Sequence, residues 1–150
     1  MCFQALRQIE IGNIKRMDID LRKAEIYIRM TIKSENRTLR LEPQQVMDIH
    51  EYLLLTNNHE VKESASLLNA KHLNRNSQQL SDKLKSNPEN HSFKNLQQIR
   101  ASVITNWLKH HDVMTVKYMA GHRFVSSTER YNMANVEELK QKILRVHPMG

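Results

Sequence analysis

The sequence contains few of the residues that build disulfide-linked, turn-rich or membrane-spanning proteins. Its single cysteine, Cys2, can form neither an intramolecular disulfide nor a cysteine-based zinc site, and this usage fits a reducing compartment. Three glycines and three prolines disfavour a sandwich or barrel. No apolar run approaches the roughly 18 residues of a membrane span, and the N-terminus does not have the pattern of a signal peptide. We therefore expect a cytoplasmic, mainly α-helical protein without a membrane partner.

Length and charge narrow the function further. A chain of 150 residues has room for a single domain, which we place over residues 1–150. Apolar residues make up 39% and charged residues 26%, a balance typical of a folded and well-solvated domain. The 23 lysines and arginines outnumber the 16 acidic residues and give a formal charge of +7. Such a surplus favours a polyanionic partner such as nucleic acid.

The first half of the chain combines helical and strand patterns. Apolar residues at nearly helical spacing predict a helix over residues 3–14. Alternating polar and apolar residues over 24–32 and 37–41, separated by a polar break, predict a β-hairpin with a basic turn. Pro43 is tolerated in a first helical turn, and the apolar residues after it predict an amphipathic helix that ends near residues 56–58.

The second half is helical in pattern, with one segment that is difficult to interpret. Asparagines interrupt weak periodicity over residues 59–94, where we expect short helices and loops. A core helix is predicted from Lys94 by four apolar residues spaced three or four apart: Leu96, Ile99, Val103 and Trp107. Asp112 is suited to cap a short helix that Gly121 ends. Ser126 and Glu129 have the spacing of a capping box, which predicts a further helix.

Six positions gain meaning from their order, although each alone has an ordinary structural interpretation. They are Arg7, followed three residues later by Glu10; Lys33 in the hairpin turn; Gln97 and Arg100 in Gln97-Gln98-Ile99-Arg100; His122 in Gly121-His122; and Tyr131 in a Ser-Ser-Thr-x-x-Tyr run, nine residues after His122. This set resembles the catalytic domain of the tyrosine recombinases, the phage-integrase family of site-specific DNA recombinases. The resemblance implies a mainly α fold with a small antiparallel β-hairpin or sheet.

The resemblance also implies a role for each residue, and the chemistry suits the residue types. Tyr131 is the expected nucleophile, which attacks phosphorus and leaves a 3′-phosphotyrosine. Arg7 and Arg100 are expected to clamp the phosphate, because guanidinium groups stay charged and bind oxygens bidentately. His122 is expected to add a hydrogen bond, and Lys33 to protonate the leaving 5′-oxygen. This mechanism requires no metal and no cofactor.

Gln97 is a departure from the family pattern. It occupies the position at which the family usually has histidine. Glutamine can hydrogen-bond a phosphate oxygen but does not titrate near neutral pH. We therefore expect Gln97 to contact the phosphate without transferring a proton.

Double-stranded DNA is the partner that the resemblance implies. An apolar stripe predicts a last helix over residues 136–146, which resembles the C-terminal element that family members dock into a neighbouring protomer. We therefore expect self-association on DNA, although packing of this helix on its own domain is equally consistent with the apolar stripe. The chain begins six residues before Arg7, whereas family members carry more of the catalytic domain and a separate DNA-binding domain upstream. We accordingly expect the start of the domain and that upstream domain to be lacking.

Two alternatives to a recombinase stay open. Type IB topoisomerases resemble this family in their set of arginines, lysine, histidine and tyrosine, although the small size and the context of Tyr131 favour a recombinase. A basic helical module that binds DNA without cleaving it is the other alternative, and Gln97 is consistent with it. The adjacent His110 and His111 do not indicate a metal site, because neighbouring residues on a helix point in different directions.

Overall fold

The architecture is mainly helical with one small sheet, as the sequence predicts. The computed structural model describes residues 3–56, 66–67, 70–87 and 93–132. Its elements in chain order are α1 (Gln8–Gly12), β1 (Ile19–Asp20), β2 (Glu25–Ile28), β3 (Arg37–Arg40), α2 (Pro43–Thr56), α3 (Ala70–Ser86), α4 (Leu96–Trp107), α5 (Val113–Ala120) and α6 (residues 126–132). None of the described helices is long and apolar enough to cross a membrane.

The sheet is antiparallel in the order β1-β2-β3. Strands β2 and β3 form the predicted hairpin, with Ile26 opposite Leu39. Alternation along β3 buries Arg37 and Leu39 and exposes the residues between and after them. Strand β1 was not predicted, because two residues are too few to show an alternating pattern.

Helices α2, α4 and α5 confirm the sequence predictions. Asp112 caps α5, because its Oδ1 accepts hydrogen bonds from the backbone N–H groups of Met114 and Thr115. Gly121 ends the same helix with a φ of 65°, a left-handed conformation that glycine adopts without strain. Helix α6 begins at Ser126, the first residue of the predicted capping box. The predicted last helix over 136–146 lies outside the described residues.

The prediction of a helix over residues 3–14 is wrong. Helix α1 covers only five residues and begins after Arg7. Ala5 has a φ of 48°, so the backbone before α1 is in the left-handed region and cannot continue a right-handed helix. Leu6 and Ile14 are buried although they lie before and after α1. Their spacing in the sequence matched a helical pattern without belonging to a helix.

The prediction of short helices and loops over 59–94 is wrong for residues 70–86. Residues 70–86 form the single helix α3, which has 17 residues. The more buried positions on this helix recur at helical spacing: Leu73, Ser77, Ser81 and Leu84. Two of these four are serines, so hydrophobicity alone did not reveal the periodicity.

Two hydrophobic clusters meet beside the segment that precedes α1. The first lies under the sheet and is formed by Leu6, Ile14, Ile26, Ile28, Leu39 and Leu41. The second lies between α4 and α5 and contains Ala5, Ile104, Val116 and Ala120. The consecutive residues Ala5 and Leu6 belong to different clusters, so this segment joins the sheet to the helices.

Candidate functional site

A cavity of about 470 Å³ opens where the two clusters meet. It lies between the start of α1, the turn after β2, and helices α4 and α6. The residues that line it are Leu6, Arg7, Gln8, Ile9, Thr31, Ile32, Lys33, Leu96, Gln97, Arg100 and Tyr131. Five of the six residues singled out in the sequence therefore border one cavity, and the sixth, His122, lies behind Arg100.

Arg7 directly precedes α1, and it lines the cavity. The Glu10 carboxylate accepts a hydrogen bond of 2.7 Å from the backbone N–H of Arg7, which fixes the first turn of the helix. The Nε of Arg7 is the one buried side-chain polar atom in the described part of the chain that lacks a hydrogen-bond partner. A buried donor without a partner is costly in a folded protein, so an acceptor such as a phosphate oxygen would complete it.

Lys33 lies at the tip of the turn between β2 and β3. The turn is closed by reciprocal backbone hydrogen bonds between Thr31 and Ser34, at 2.9 and 3.3 Å. Ser34 is fully buried, whereas Ile32 and Lys33 are exposed. The turn is thus anchored at its base, and its tip presents a long cationic side chain at the mouth of the cavity.

Arg100 is held from several sides in the wall of the cavity. It lies on α4, whose start is capped by Asn95, and it is 7% exposed. Its Nη2 donates a 2.7 Å hydrogen bond to the carbonyl of Ala120, and its Nη1 donates to the carbonyl of Ala5. Burial, and next the charge of Arg7, lower the pKa of Arg100 to about 10. Its guanidinium therefore stays charged at neutral pH.

His122 is buried and faces Arg100. The Nη2 of Arg100 lies 3.1 Å from Nε2 of His122, and an arginine can only donate, so Nε2 accepts. The proton of the neutral ring is then on Nδ1, which donates to Oγ1 of Thr128 at 2.8 Å. Burial, and next the charge of Arg100, lower the pKa of His122 to about 4. The imidazole is accordingly neutral at physiological pH.

Tyr131 packs against the same histidine. The two rings are nearly parallel, at 6°, with centroids 6.0 Å apart. Tyr131 also packs on the cluster between α4 and α5. Helix α6 thus carries both Thr128 and Tyr131, so it is joined to the Gly121-His122 turn by a hydrogen bond and a ring contact.

Arg37 and Glu10 form a buried ion pair that sequence reasoning did not identify. Both side chains are fully buried, and the Arg37 guanidinium binds both carboxylate oxygens of Glu10, at 2.9 and 3.1 Å. Burial opposes ionisation of Glu10, but the hydrogen bond and charge of Arg37 outweigh it and hold the pKa of that carboxyl below its usual value. Alternation along the strand could have indicated that Arg37 is buried, because it places Arg37 on the same face of β3 as Leu39.

A second, polar cleft adjoins the cavity, and α3 forms one of its walls. It is lined by Gln8, Asn74, Ser77, Gln78, Ser81, Asn95, Leu96 and Gln97, most of which carry amide or hydroxyl groups. Gln8 bridges to α3 through a 2.9 Å hydrogen bond from its Nε2 to Oδ1 of Asn74. The helix missing from the sequence prediction is therefore a neighbour of the site.

Comparison with known proteins identifies the family. Residues 1–138 match the phage integrase family. The XerA recombinase has a similar structure, with a TM-score of 0.71 and 19% identity over 99% of this chain and 56% of that chain. The Tn1549 transposon integrase, solved in complex with transposon right end DNA, has a TM-score of 0.66 and 11% identity over 97% of this chain and 56% of that chain. No curated protein has significant sequence similarity to this chain.

At these identities the two structures show a shared fold, and this chain spans 56% of the length of each. The family match covers most of the chain, including all six positions discussed above. The chain belongs to the phage integrase family, and its fold is that of a tyrosine recombinase catalytic domain.

Proposed function

We propose that this domain cleaves and rejoins double-stranded DNA through a 3′-phosphotyrosine intermediate, as a site-specific recombinase or integrase. The observation that carries the proposal is the convergence of Arg7, Lys33, Gln97, Arg100 and Tyr131 on one cavity. Three cationic side chains and a phenol around one volume suit a phosphodiester, which needs both a nucleophile and stabilisation of charge.

In the proposed reaction the phenolic oxygen of Tyr131 attacks phosphorus and loses its proton to solvent. A new P–O bond to tyrosine forms while the bond from phosphorus to the 5′-oxygen breaks. The ammonium of Lys33 gives a proton to that departing oxygen. Attack by a 5′-hydroxyl on the phosphotyrosine reverses these steps and rejoins a strand, so the phosphodiester energy is kept in the covalent link.

The remaining residues of the site stabilise charge in this reaction. Arg7 and Arg100 bind the non-bridging oxygens, where negative charge gathers in the transition state. Gln97 donates a neutral hydrogen bond to the same phosphate. His122 contacts Arg100 in this arrangement, so we assign it the orientation of that guanidinium. A direct hydrogen bond from His122 to the phosphate stays a prediction.

Double-stranded DNA is the proposed partner. The formal charge of +7 favours a polyanion, and the Tn1549 integrase with a similar fold was solved bound to DNA. Self-association through residues 136–146 stays a prediction, because those residues lie outside the described ranges.

The decisive test is formation of a covalent protein–DNA adduct. The chain is incubated, in chelator, with a saturating pool of nicked duplexes whose sequence is randomised around the nick. We expect an adduct on a denaturing gel, with the DNA linked to Tyr131 by mass spectrometry. Tyr131→Phe removes only the attacking oxygen, so it should abolish the adduct and leave DNA binding unchanged. Tyr118→Phe, at an exposed tyrosine on α5, is the matched control and should form the adduct normally.

Two results would contradict the proposal. An adduct formed equally well by Tyr131→Phe would show that another group attacks the phosphate. No adduct from the parent chain at saturating DNA, together with measurable binding, would favour a non-catalytic DNA-binding module.

A further inference from the structure

The guanidinium of Arg37 joins three parts of the site. Its Nε donates a 2.8 Å hydrogen bond to the carbonyl of Met119 at the end of α5. Its Nη1 donates to the carbonyl of Glu35, at 3.2 Å, in the segment that follows the Lys33 turn. Its two Nη atoms bind the Glu10 carboxylate on α1. With no exposed side-chain surface, Arg37 cannot touch DNA itself.

Glu10 is close to two different guanidinium groups. Its Oε2 lies 3.1 Å from Nη2 of Arg37 and 3.9 Å from Nη1 of Arg100. The first distance is a hydrogen bond, whereas the second is longer than one. A bidentate arginine–carboxylate pair satisfies both oxygens and neutralises the buried charge. Arg37 thus pairs with the Glu10 carboxylate, and the guanidinium of Arg100 stays available to bind another anion.

Loss of Arg37 alone would change this assignment. The Glu10 carboxylate would be buried without its strongest partner, which is a costly state. Arg100 is the nearest remaining cation to Glu10 in the part of the chain that the structure describes. A short movement would pair these two groups, neutralise Arg100 and place a negative charge beside the phosphate position.

We propose that Arg37 is a positioning residue for strand cleavage, which occupies the Glu10 carboxylate and so keeps Arg100 available to bind the scissile phosphate. This inference rests on the proposed function, because it assigns the phosphate contact to Arg100. It goes beyond that function by explaining why a buried carboxylate lies 3.9 Å from the arginine that is proposed to bind the phosphate.

The test combines a single and a double substitution. Arg37→Met removes the guanidinium and leaves Glu10 charged, whereas Arg37→Met with Glu10→Gln removes both charges. Arg29 provides the matched control, since it forms another bidentate pair, with Asp18 at 2.6 and 3.0 Å, away from the cavity. Each variant is first checked by circular dichroism and urea unfolding, and its adduct rate at saturating DNA is then measured per folded molecule.

We expect Arg37→Met to slow adduct formation by about 100-fold, since loss of one preorganised donor to a charged transition state costs roughly that much. The double variant should recover to within about tenfold of the parent, because the competing carboxylate is gone. Arg29→Met should lose stability at most and keep the parental rate. If Arg37→Met does not fold, the double variant still tests the inference, since it has no uncompensated buried charge.

A binding measurement tests the inference without relying on cleavage. In a salt titration on duplex DNA, withdrawal of one phosphate contact lowers the slope of log K against log salt by about 1. Arg37→Met should show this loss, the double variant should regain the parental slope, and Arg29→Met should keep it. A general loss of stability would not produce this pattern.

The outcomes separate the two proposals. Absence of an adduct from the parent overturns the proposed function, while the salt slopes still test Arg37. Folded Arg37→Met with parental rate and slope overturns the role of Arg37. A folded double variant as slow as Arg37→Met, with an equally reduced slope, also overturns it, because competition from Glu10 would then not be the cause.

Discussion

The two walls of the cavity are built differently. We call Arg7 and Lys33 the hairpin wall, and Gln97, Arg100 and Tyr131, with His122 behind them, the helix wall. In the hairpin wall, Lys33 is exposed and the Nε of Arg7 has no hydrogen-bond partner. In the helix wall, Arg100 and His122 are buried and hydrogen-bonded to each other. The helix wall is therefore organised by its own contacts, whereas under the proposed function DNA would complete the contacts of the hairpin wall.

Lys33→Ala tests the hairpin wall and should have the largest effect on rate of the substitutions that keep Tyr131. We expect cleavage to slow by about 10²- to 10⁴-fold, the range for loss of a general acid, with stability within about 0.5 kcal/mol of the parent. A duplex with sulfur in place of the bridging 5′-oxygen should restore the rate, because a thiolate leaves without a proton. If Lys33→Ala were as much slower than the parent on that duplex as on the unmodified one, Lys33 would not be the general acid.

Arg100→Lys tests the helix wall, where the cleavage rate and the stability should fall together. We expect cleavage about 10²- to 10³-fold slower, because an ammonium cannot reproduce a two-pronged phosphate contact. Stability should fall by about 1 to 3 kcal/mol, since the carbonyls of Ala5 and Ala120 lose buried donors. Adduct rates and urea unfolding measure the two losses. Parental stability in this variant would contradict a preorganised helix wall. Arg123→Lys, the same substitution at an exposed arginine, is the control.

Acid should weaken the helix wall through His122. Its folded pKa of about 4 lies below the ordinary 6.5, so the unfolded chain binds a proton more readily between these values. The contribution of His122 to stability is therefore fully present above pH 6.5 and falls, by up to about 3 kcal/mol, as the pH drops towards 4. Unfolding of the parent and His122→Asn across this range measures the difference. Equal pH slopes would contradict a buried neutral imidazole.

Gln97 should show the smallest effect, because it belongs to the helix wall but is exposed. Gln97→Ala should slow cleavage by about tenfold, as expected for one lost hydrogen bond to a charged group, without changing stability. Gln97→His should keep or raise the rate. The same nicked duplexes report both variants, and a parental rate for Gln97→Ala would leave this position without a phosphate contact.

Local sequence signals predicted the parts of the fold that local interactions determine. Asp112 and Gly121 mark the two ends of α5 because a carboxylate caps one end and a left-handed residue closes the other. The resemblance to the tyrosine recombinases, carried by the order of residues along the chain, also singled out six positions, five of which border the cavity. The ends of α5 were thus predicted from neighbouring residues, and the site residues from the resemblance.

Features that depend on distant contacts were not predictable in this way. Nothing near Arg37 in sequence indicates that its partners are Glu10 and Met119. The inward orientation of His122 likewise depends on Arg100, 22 residues away. Helix α3 was missed because serine at two of its more buried positions carries no hydrophobic signal.

The contacts of Arg100 also bear on the order in which the molecule folds. Its hydrogen bond to the carbonyl of Ala5 joins residues 95 positions apart, and that of Arg37 to Met119 spans 82. Closing such long loops is slow compared with forming a helix such as α5. We therefore expect the cavity to assemble late, after the local helices. During synthesis the cavity therefore cannot form until the segment around Ala5 meets the residues near Ala120, both of which Arg100 contacts.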